Sequence, residues 1–495
     1  MSSSPSMGEG SRDAVRSARG AAAARPRSPR RGPLARALLA LLAAAVAGGC
    51  ARSAPPVPAV LVVSIDTLRP DHLGIYGYAR DTSPHIDAYF ANGVRFDRAY
   101  STGSRTPPSV ASLLTGRHPQ QHRVRLFYQK LDRRVPAIPD LLPDAWQAAA
   151  FVGNAVLSNE AMGLAPRFDR YEDRVDRPAL FTQNVERSAG PLTDEAIAWL
   201  EGERDPARPF FLWVHYMDPH SPYIPPDDWR ARGYAHDAPQ MVDVERLAQN
   251  NVQKETAGDA AQVDALVSVD AYDEEIAYTD HHIGRLLAAF DRAADADTAL
   301  AILTADHGES MLEHQIYFTH GYQVYDEMVR IPMLVRAPGV APGANDRLVS
   351  LVDVLPTVLG FALVEPPHGL DGVDLRQRGA DPERTVLAET TYVDSHWRAA
   401  WSGDEKWLMQ VDVKSAEPVA GFRFDLAADP GELAPAPWDE TAAPARRLRE
   451  LALRDPDPAG IPKERRGGLE DGAPNARADL LRGQLEQLRA LGYVD

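Results

Sequence analysis

Val60-Leu-Val-Val-Ser-Ile65, followed at once by Asp66-Thr-Leu-Arg-Pro-Asp-His72, sets the fold of this chain. The run is nearly continuous, apolar and largely β-branched, which reads as a strand buried on both faces of a parallel sheet. An acidic residue at the carboxyl end of such a strand sits where open α/β sheets place their ligands. Two further stretches repeat the pattern. Phe210–His215 (FFLWVH) runs on to Asp218 and His220, and Thr298–Thr304 (TALAILT) runs into Ala305-Asp306-His307-Gly308-Glu309.

Helical segments alternate with these strands. Pro84–Phe96 gives a short helix and a turn at Asn92-Gly93, and Leu141–Asn154 a helix followed by the strand AAAFVGN. Asp194–Gly202 reads as a helix, as does Tyr272–Asp291, where Ile276, Ile283, Leu286 and Leu287 fall at helical spacing. Ile331–Arg336 and Leu348–Leu359 continue the sheet. The alternation predicts an α/β fold with a large, mixed, mostly parallel sheet flanked by helices. Gly233 to Leu266 is polar and weakly patterned, an excursion from that framework. From Arg384 short strands and turns, then charged helices, predict a smaller α+β C-terminal part. Ala436–Ala478, rich in Pro, Ala and charge, is expected to be partly mobile. The expected domains are thus a catalytic part over 60–383 and the smaller part over 384–495.

A second stretch carries the chemistry: Ser101–Gly116, STGSRTPPSVASLLTG. Proline fits the first turn of a helix and not its interior, so Pro107 and Pro108 place Thr106 just before a helix N-terminus. Unpaired N–H groups and the helix dipole favour an anion there, which suits a nucleophile meeting an anionic substrate. With Asp66, Asp306 and His307, Thr106 completes a set of two carboxylates, one imidazole and one hydroxyl. Such ligands suit a hard or borderline divalent cation: Mg, Ca, Mn or Zn.

Composition narrows the class further. The chain has 495 residues, 44% hydrophobic and 25% charged, with a formal net charge of −17. Residues 1–50 hold eight arginines against Glu9 and Asp13, which leaves about −23 on the remainder. So acidic a body argues against nucleic acid as a partner. The Arg-rich start, the apolar run Ala37–Ala47 and Gly48-Gly49-Cys50 read as an export signal, too short to span a membrane. Small residues before the lone Cys50 resemble a bacterial lipoprotein cleavage box, with Ala47 where Leu is usual. The expectation is lipidation at Cys50, a Pro/Ala tether over 51–59, and a protein held at the cell envelope. With one cysteine there is neither an intrachain disulfide nor a cysteine-based metal site. No internal repeat, Walker motif, dinucleotide glycine fingerprint, HExxH or GxSxG is present.

Several stretches together resemble the sulfatase family of the alkaline phosphatase superfamily: SIDTLRPDHLGIYGY, SPHIDAYFANGVRFDRAYS, TPPSVASLLTG, PFFLWVHYMDPHSPY, YDEEIAYTDHHIGRLL, TADHGES, HGYQVYDEMVRIPMLVRAPG and FDLAADPGEL. The resemblance runs from Val60 to about Leu433 and implies an alkaline-phosphatase-like fold. It implies an exported, metal-dependent hydrolase of sulfate or of phosphate and phosphonate esters. A group transferase of the same superfamily and an inactive binding lipoprotein are the alternatives. One divalent ion would be held by Asp66, Thr106, Asp306 and His307. His220 resembles a residue that contacts substrate or protonates the leaving group, and His320 occupies the place of a substrate-binding lysine. Aligned on Leu113-Leu114-Thr115-Gly116, Thr106 stands where the family's Cys or Ser becomes formylglycine, and Val110 where its Arg belongs. No formylglycine is therefore expected, and Thr106 itself is the expected nucleophile. Thr67 stands where a second metal-binding Asp is usual.

Overall fold

The computed structural model describes residues 57–455, apart from 176, 179–184, 231–237, 248–256, 259, 378, 380, 393–394 and 413–416. Cys50, the export segment and most of the tether lie outside the described residues, as does everything after 455.

The strand that opens the chain's reading forms as expected. β1 (Ala59–Ile65) is buried along its whole length, and both faces are covered. The framework continues with α1 (Pro84–Phe90), β2 (Val94–Tyr100), α2 (Thr106–Thr115), β3 (Gln147–Val152), β4 (Arg170–Glu172), α3 (Ala189–Ala198) and β5 (Phe210–Tyr216). After it come α4 (Leu266–Ala293), β6 (Ala299–Ala305), β7 (Met333–Arg336), β8 (Gly343–Ser350) and α5 (Val354–Phe361). Eight strands form one sheet in the order β8-β2-β7-β6-β1-β5-β3-β4. β1 lies parallel between β6 and β5, with Ile65 opposite both Ala305 and Tyr216. β3 runs parallel beside β5, and β7 is antiparallel to both its neighbours. The carboxyl ends of β6, β1, β5 and β3 therefore stand side by side. Each fully buried Val, Leu or Phe of these strands contributes about 1.5–3 kcal/mol through burial.

Some boundaries differ from the sequence reading, each for a physical reason. Leu348–Leu359 does not continue the sheet throughout: the strand ends at Ser350, and α5 follows a short turn at Leu351–Asp353. A buried helix and a buried strand share the same apolar run, so periodicity does not separate them. Asp194–Gly202 covers the end of α3 and a wider π-turn at Trp199–Glu203. Before β3 the helix is a single turn, Ile138–Leu141. In the polar excursion, Met241–Asp243 and Gln262–Asp264 pair as a small antiparallel ribbon.

The C-terminal part forms an antiparallel sheet of β9 (Val386–Tyr392), β10 (Ser395–Ser402), β11 (Glu405–Asp412) and β12 (Pro418–Asp425), followed by α6 (Ala443–Arg454). Its edge strand β9 meets the stretch before α2. Glu389 N donates to Thr102 O at 2.9 Å, and Thr390 Oγ1 donates to Gly321 O at 3.0 Å. Beneath lies a buried ion cluster. The Glu389 carboxylate sits 2.6 Å from Arg125 and 3.3 Å from Arg398, and both arginines also reach Asp455. Removing one member of such a cluster leaves a buried charge uncompensated, at a cost of about 3–5 kcal/mol.

Candidate active site

Four residues reach one point from separate elements. Asp66 follows β1, Asp306 and His307 follow the neighbouring β6, and Thr106 opens α2. Arg105, extended at φ −145°, is the N-cap, so Thr106 is the first helical residue rather than the one before the helix. The two prolines occupy the next two positions, and Gly116, at φ 63°, ends the helix in the left-handed region that glycine tolerates. All ten residues of α2 are buried.

Thr106 Oγ1 lies 3.3 Å from Asp66 Oδ2 and 3.3 Å from His307 Nε2. His307 Nε2 lies 3.7 Å from Asp66 Oδ1 and 3.5 Å from Asp306 Oδ2. The other ring nitrogen, Nδ1, is 2.8 Å from Gly308 O. A carbonyl only accepts, so Nδ1 carries the proton and Nε2 turns a lone pair toward the two carboxylates. Burial holds the His307 imidazole below its ordinary range, which keeps that lone pair available. Asp66 Oδ1 and Asp306 Oδ2 are buried without a hydrogen-bond partner. One ligand atom from each of Asp66, Asp306 and His307 lies within 4.8 Å of the others. Two carboxylates and an imidazole lone pair converging with orphaned oxygens repel one another unless a cation sits among them. This donor set fits a divalent metal.

The electrostatics agree. Burial and then the Asp66 charge push the Asp306 carboxyl well above the ordinary carboxylate range. Burial also works against an ionised Asp66, but the nearby imidazoles of His215, His220 and His307 hold it below that range.

Residues that the sequence reading gave no role complete the shell. Asn154, two residues beyond β3, donates from Nδ2 to Asp66 Oδ2 at 2.5 Å, while its Oδ1 accepts from Val156 N at 2.9 Å. His215, within β5, places Nε2 3.5 Å from Asp66 Oδ2, and its Nδ1 is 2.8 Å from Ser64 Oγ. Tyr272 of α4 fixes the turn after β1, donating to Thr67 O at 2.8 Å and accepting from Arg69 N at 3.0 Å. In the sequence each merely ends or follows an apolar strand: His215 lies in β5, which neighbours β1, and Asn154 follows β3, one strand further out. Held in place by these donors, Asp66 keeps Oδ1 turned to the cluster. Asn154→Ala is expected to weaken divalent-metal binding about 10–100-fold, the usual effect of removing a partner that orients a metal ligand. Calorimetric metal titration of the two proteins checks it.

His220 and His320 flank the cluster. The His320 ring lies 4.5 Å from that of His307 and 5.1 Å from that of His220, centroid to centroid. His320 Nδ1 is 3.0 Å from Glu309 Oε1, so a fully buried carboxylate orients it. Tyr223 donates to the other Glu309 oxygen. His220 Nδ1 lies 2.5 Å from Ser221 O, which leaves Nε2 as its other polar end. Burial, then the charges of His307 and His220, hold His320 well below the ordinary histidine range.

The mostly parallel sheet thus brings a carboxylate–carboxylate–imidazole cluster at two adjacent strand ends together with the hydroxyl that opens α2. Residues 58–364 match the sulfatase family model. The chain belongs to the sulfatase family, and with it to the ester hydrolases. It is 23% identical over 441 residues to an arylsulfatase of Clostridium perfringens, covering 76% of this chain and 89% of that one. It is 24% identical over 418 residues to an N-acetylglucosamine-6-O-sulfatase of Bacteroides thetaiotaomicron, covering 69% and 73%. Among solved structures, the phosphonate monoester hydrolase of Agrobacterium radiobacter shares the fold with a TM-score of 0.61 at 20% identity, covering 80% of this chain and 96% of that one.

Proposed function

We propose that the protein is an exported, metal-dependent hydrolase in which Thr106 attacks the sulfur or phosphorus of an anionic ester. The observation that carries this reading is the Thr106 hydroxyl, 3.3 Å from both Asp66 and His307 beside two orphaned carboxylate oxygens. Asp66, Asp306 and His307, with Thr106, would hold one divalent ion. Such an ion, when bound, lowers the pKa of a neighbouring hydroxyl and polarises the substrate's oxygens. Thr106 Oγ1 gives up its proton to solvent and forms the new bond to the central atom while the bond to the substrate's alcohol breaks. His220 gives that departing oxygen its proton. His320, kept neutral by burial and oriented by Glu309, offers Nε2 as an acceptor to the water that then hydrolyses the threonyl ester.

A threonyl ester has no second hydroxyl through which to collapse, so water must cleave it at the central atom. Phosphoryl chemistry uses such intermediates, which tilts the reading toward phosphate, phosphodiester or phosphonate esters over sulfate. The deciding experiment is turnover of aryl sulfate, phosphate, phosphodiester and phosphonate substrates by metal-loaded protein. Turnover of none of them would sink the hydrolase reading and leave a binding role.

We assign the catalytic part to residues 60–383, with 384–495 as a smaller part beside it. We also propose lipid anchoring at Cys50. Among the described residues no helix is long and apolar enough to cross a membrane, which is consistent with an anchor supplied from outside them. Cys50→Ser is expected to release the protein from membranes on fractionation. Retention of the variant after a high-salt wash would refute lipidation as the anchor.

A further inference from the structure

A helix start usually meets an oxyanion with its first free N–H groups. At α2 this cradle is depleted. Pro107 and Pro108 have no N–H, and Ser109 N is taken by Arg105 O at 3.3 Å. The dipole still points at the site, but most of the donors that would turn it into directed hydrogen bonds are missing.

The residue immediately before the nucleophile carries a planar cation. Arg105 is only 7% exposed. Its Nε donates to Gly321 O at 3.3 Å, and its Cζ lies 5.3 Å from the centre of the Phe127 ring. Gly321 directly follows His320 and adopts φ 85°. A Cβ there would come within 2.9 Å of Arg105 Nε and 3.3 Å of its Cζ, so the bare glycine makes the space the guanidinium uses. The guanidinium is thereby held between the start of α2 and the loop that carries His320. Val110, by contrast, is fully buried among apolar residues and offers nothing to an anion.

We propose that Arg105 binds a non-bridging anionic oxygen of the ester substrate, replacing the N–H donors that the two prolines remove. The inference rests on the reading of Thr106 as nucleophile, because it places the substrate's central atom against Oγ1. Anchored at Nε, the guanidinium is already ordered, which lowers the cost of closing it on an oxyanion. A charge-assisted hydrogen bond of this kind is the strong type.

The test is calorimetric titration of inorganic phosphate and of sulfate into the metal-loaded full chain. The native protein should bind at least one of them. Arg105→Ala should bind it about tenfold or more weakly, with metal affinity and melting temperature unchanged. Arg105→Lys should fall between, and added guanidinium ion should restore part of the turnover lost in Arg105→Ala. Gly321→Ala, which keeps the charge but crowds it, should weaken the same oxyanion. It carries the test with Arg105→Lys if Arg105→Ala does not fold. Equal oxyanion affinity in these variants and the native protein overturns the proposal, as does failure of the native protein to bind either anion. Thr106→Ala separates this from the underlying reading: it should lose turnover, and adding Arg105→Ala to it should still weaken the oxyanion further. Full turnover by Thr106→Ala would remove the nucleophile assignment, while the titrations still judge Arg105.

Discussion

Thr106→Ala is expected to lower turnover of the best substrate by about 10³-fold or more, the scale on which removal of a nucleophile acts. The fold should survive, because the change deletes one hydroxyl and one methyl at the first position of a helix whose other nine residues stay packed. Thr106→Ser keeps the hydroxyl and should retain measurable activity. Intact mass should show an unmodified threonine at this position, and rapid quenching during turnover should trap an ester on it. Thr106→Cys alone should not generate formylglycine, since Val110 still departs from the family's maturation signature. Native-level turnover by the Ala variant would move the attack to another group, and the loop would lose its role.

The second large effect concerns the metal. Chelation is expected to abolish turnover and to lower the melting temperature, with both restored by one equivalent of a divalent ion. Binding at 100–1,000 times the dissociation constant stabilises a fold by about 2.7–4.1 kcal/mol. The reason lies in the orphaned oxygens Asp66 Oδ1 and Asp306 Oδ2, buried side by side with no hydrogen-bond partner. Asp306→Asn should therefore leave the metal-free protein as stable as before, or more so, because it removes one of two crowded carboxylates. The same variant should lose the metal-induced rise in melting temperature. If it still gained stability from the ion, Asp306 would not be a ligand. Scanning fluorimetry with and without metal reads both outcomes.

What the sequence made legible follows from burial. β1, β5 and β6 are covered on both faces, so they write continuous apolar runs, and a polar residue that ends such a run marks a strand's carboxyl edge. Sheet order is another matter. β1 pairs with strands that begin about 150 and 240 residues later, and nothing local in VLVVSI specifies these partners. Asn154 shows the same limit. Its amide meets Asp66 across 88 residues, and in the sequence it is merely the end of AAAFVGN. Glu309 was in view inside TADHGES but acquires meaning only from His320 and Tyr223, which other loops deliver. The apolar stretch Leu348–Leu359 misled for a different reason: it crosses from strand to helix without changing its composition.

The seam between β9 and the stretch before α2 bears on how small a working fragment can be. The family model ends at residue 364, which makes that point an inviting place to cut. A chain trimmed there keeps Asp66, Thr106, Asp306 and His307 but discards Glu389 and Thr390, whose hydrogen bonds hold Thr102 and Gly321 on either side of Arg105. It also strips Arg125 of both its carboxylates. The span of the family model is thus smaller than the region that shapes the candidate site. Residues beyond that span, Glu389 and Thr390 among them, act as its scaffold.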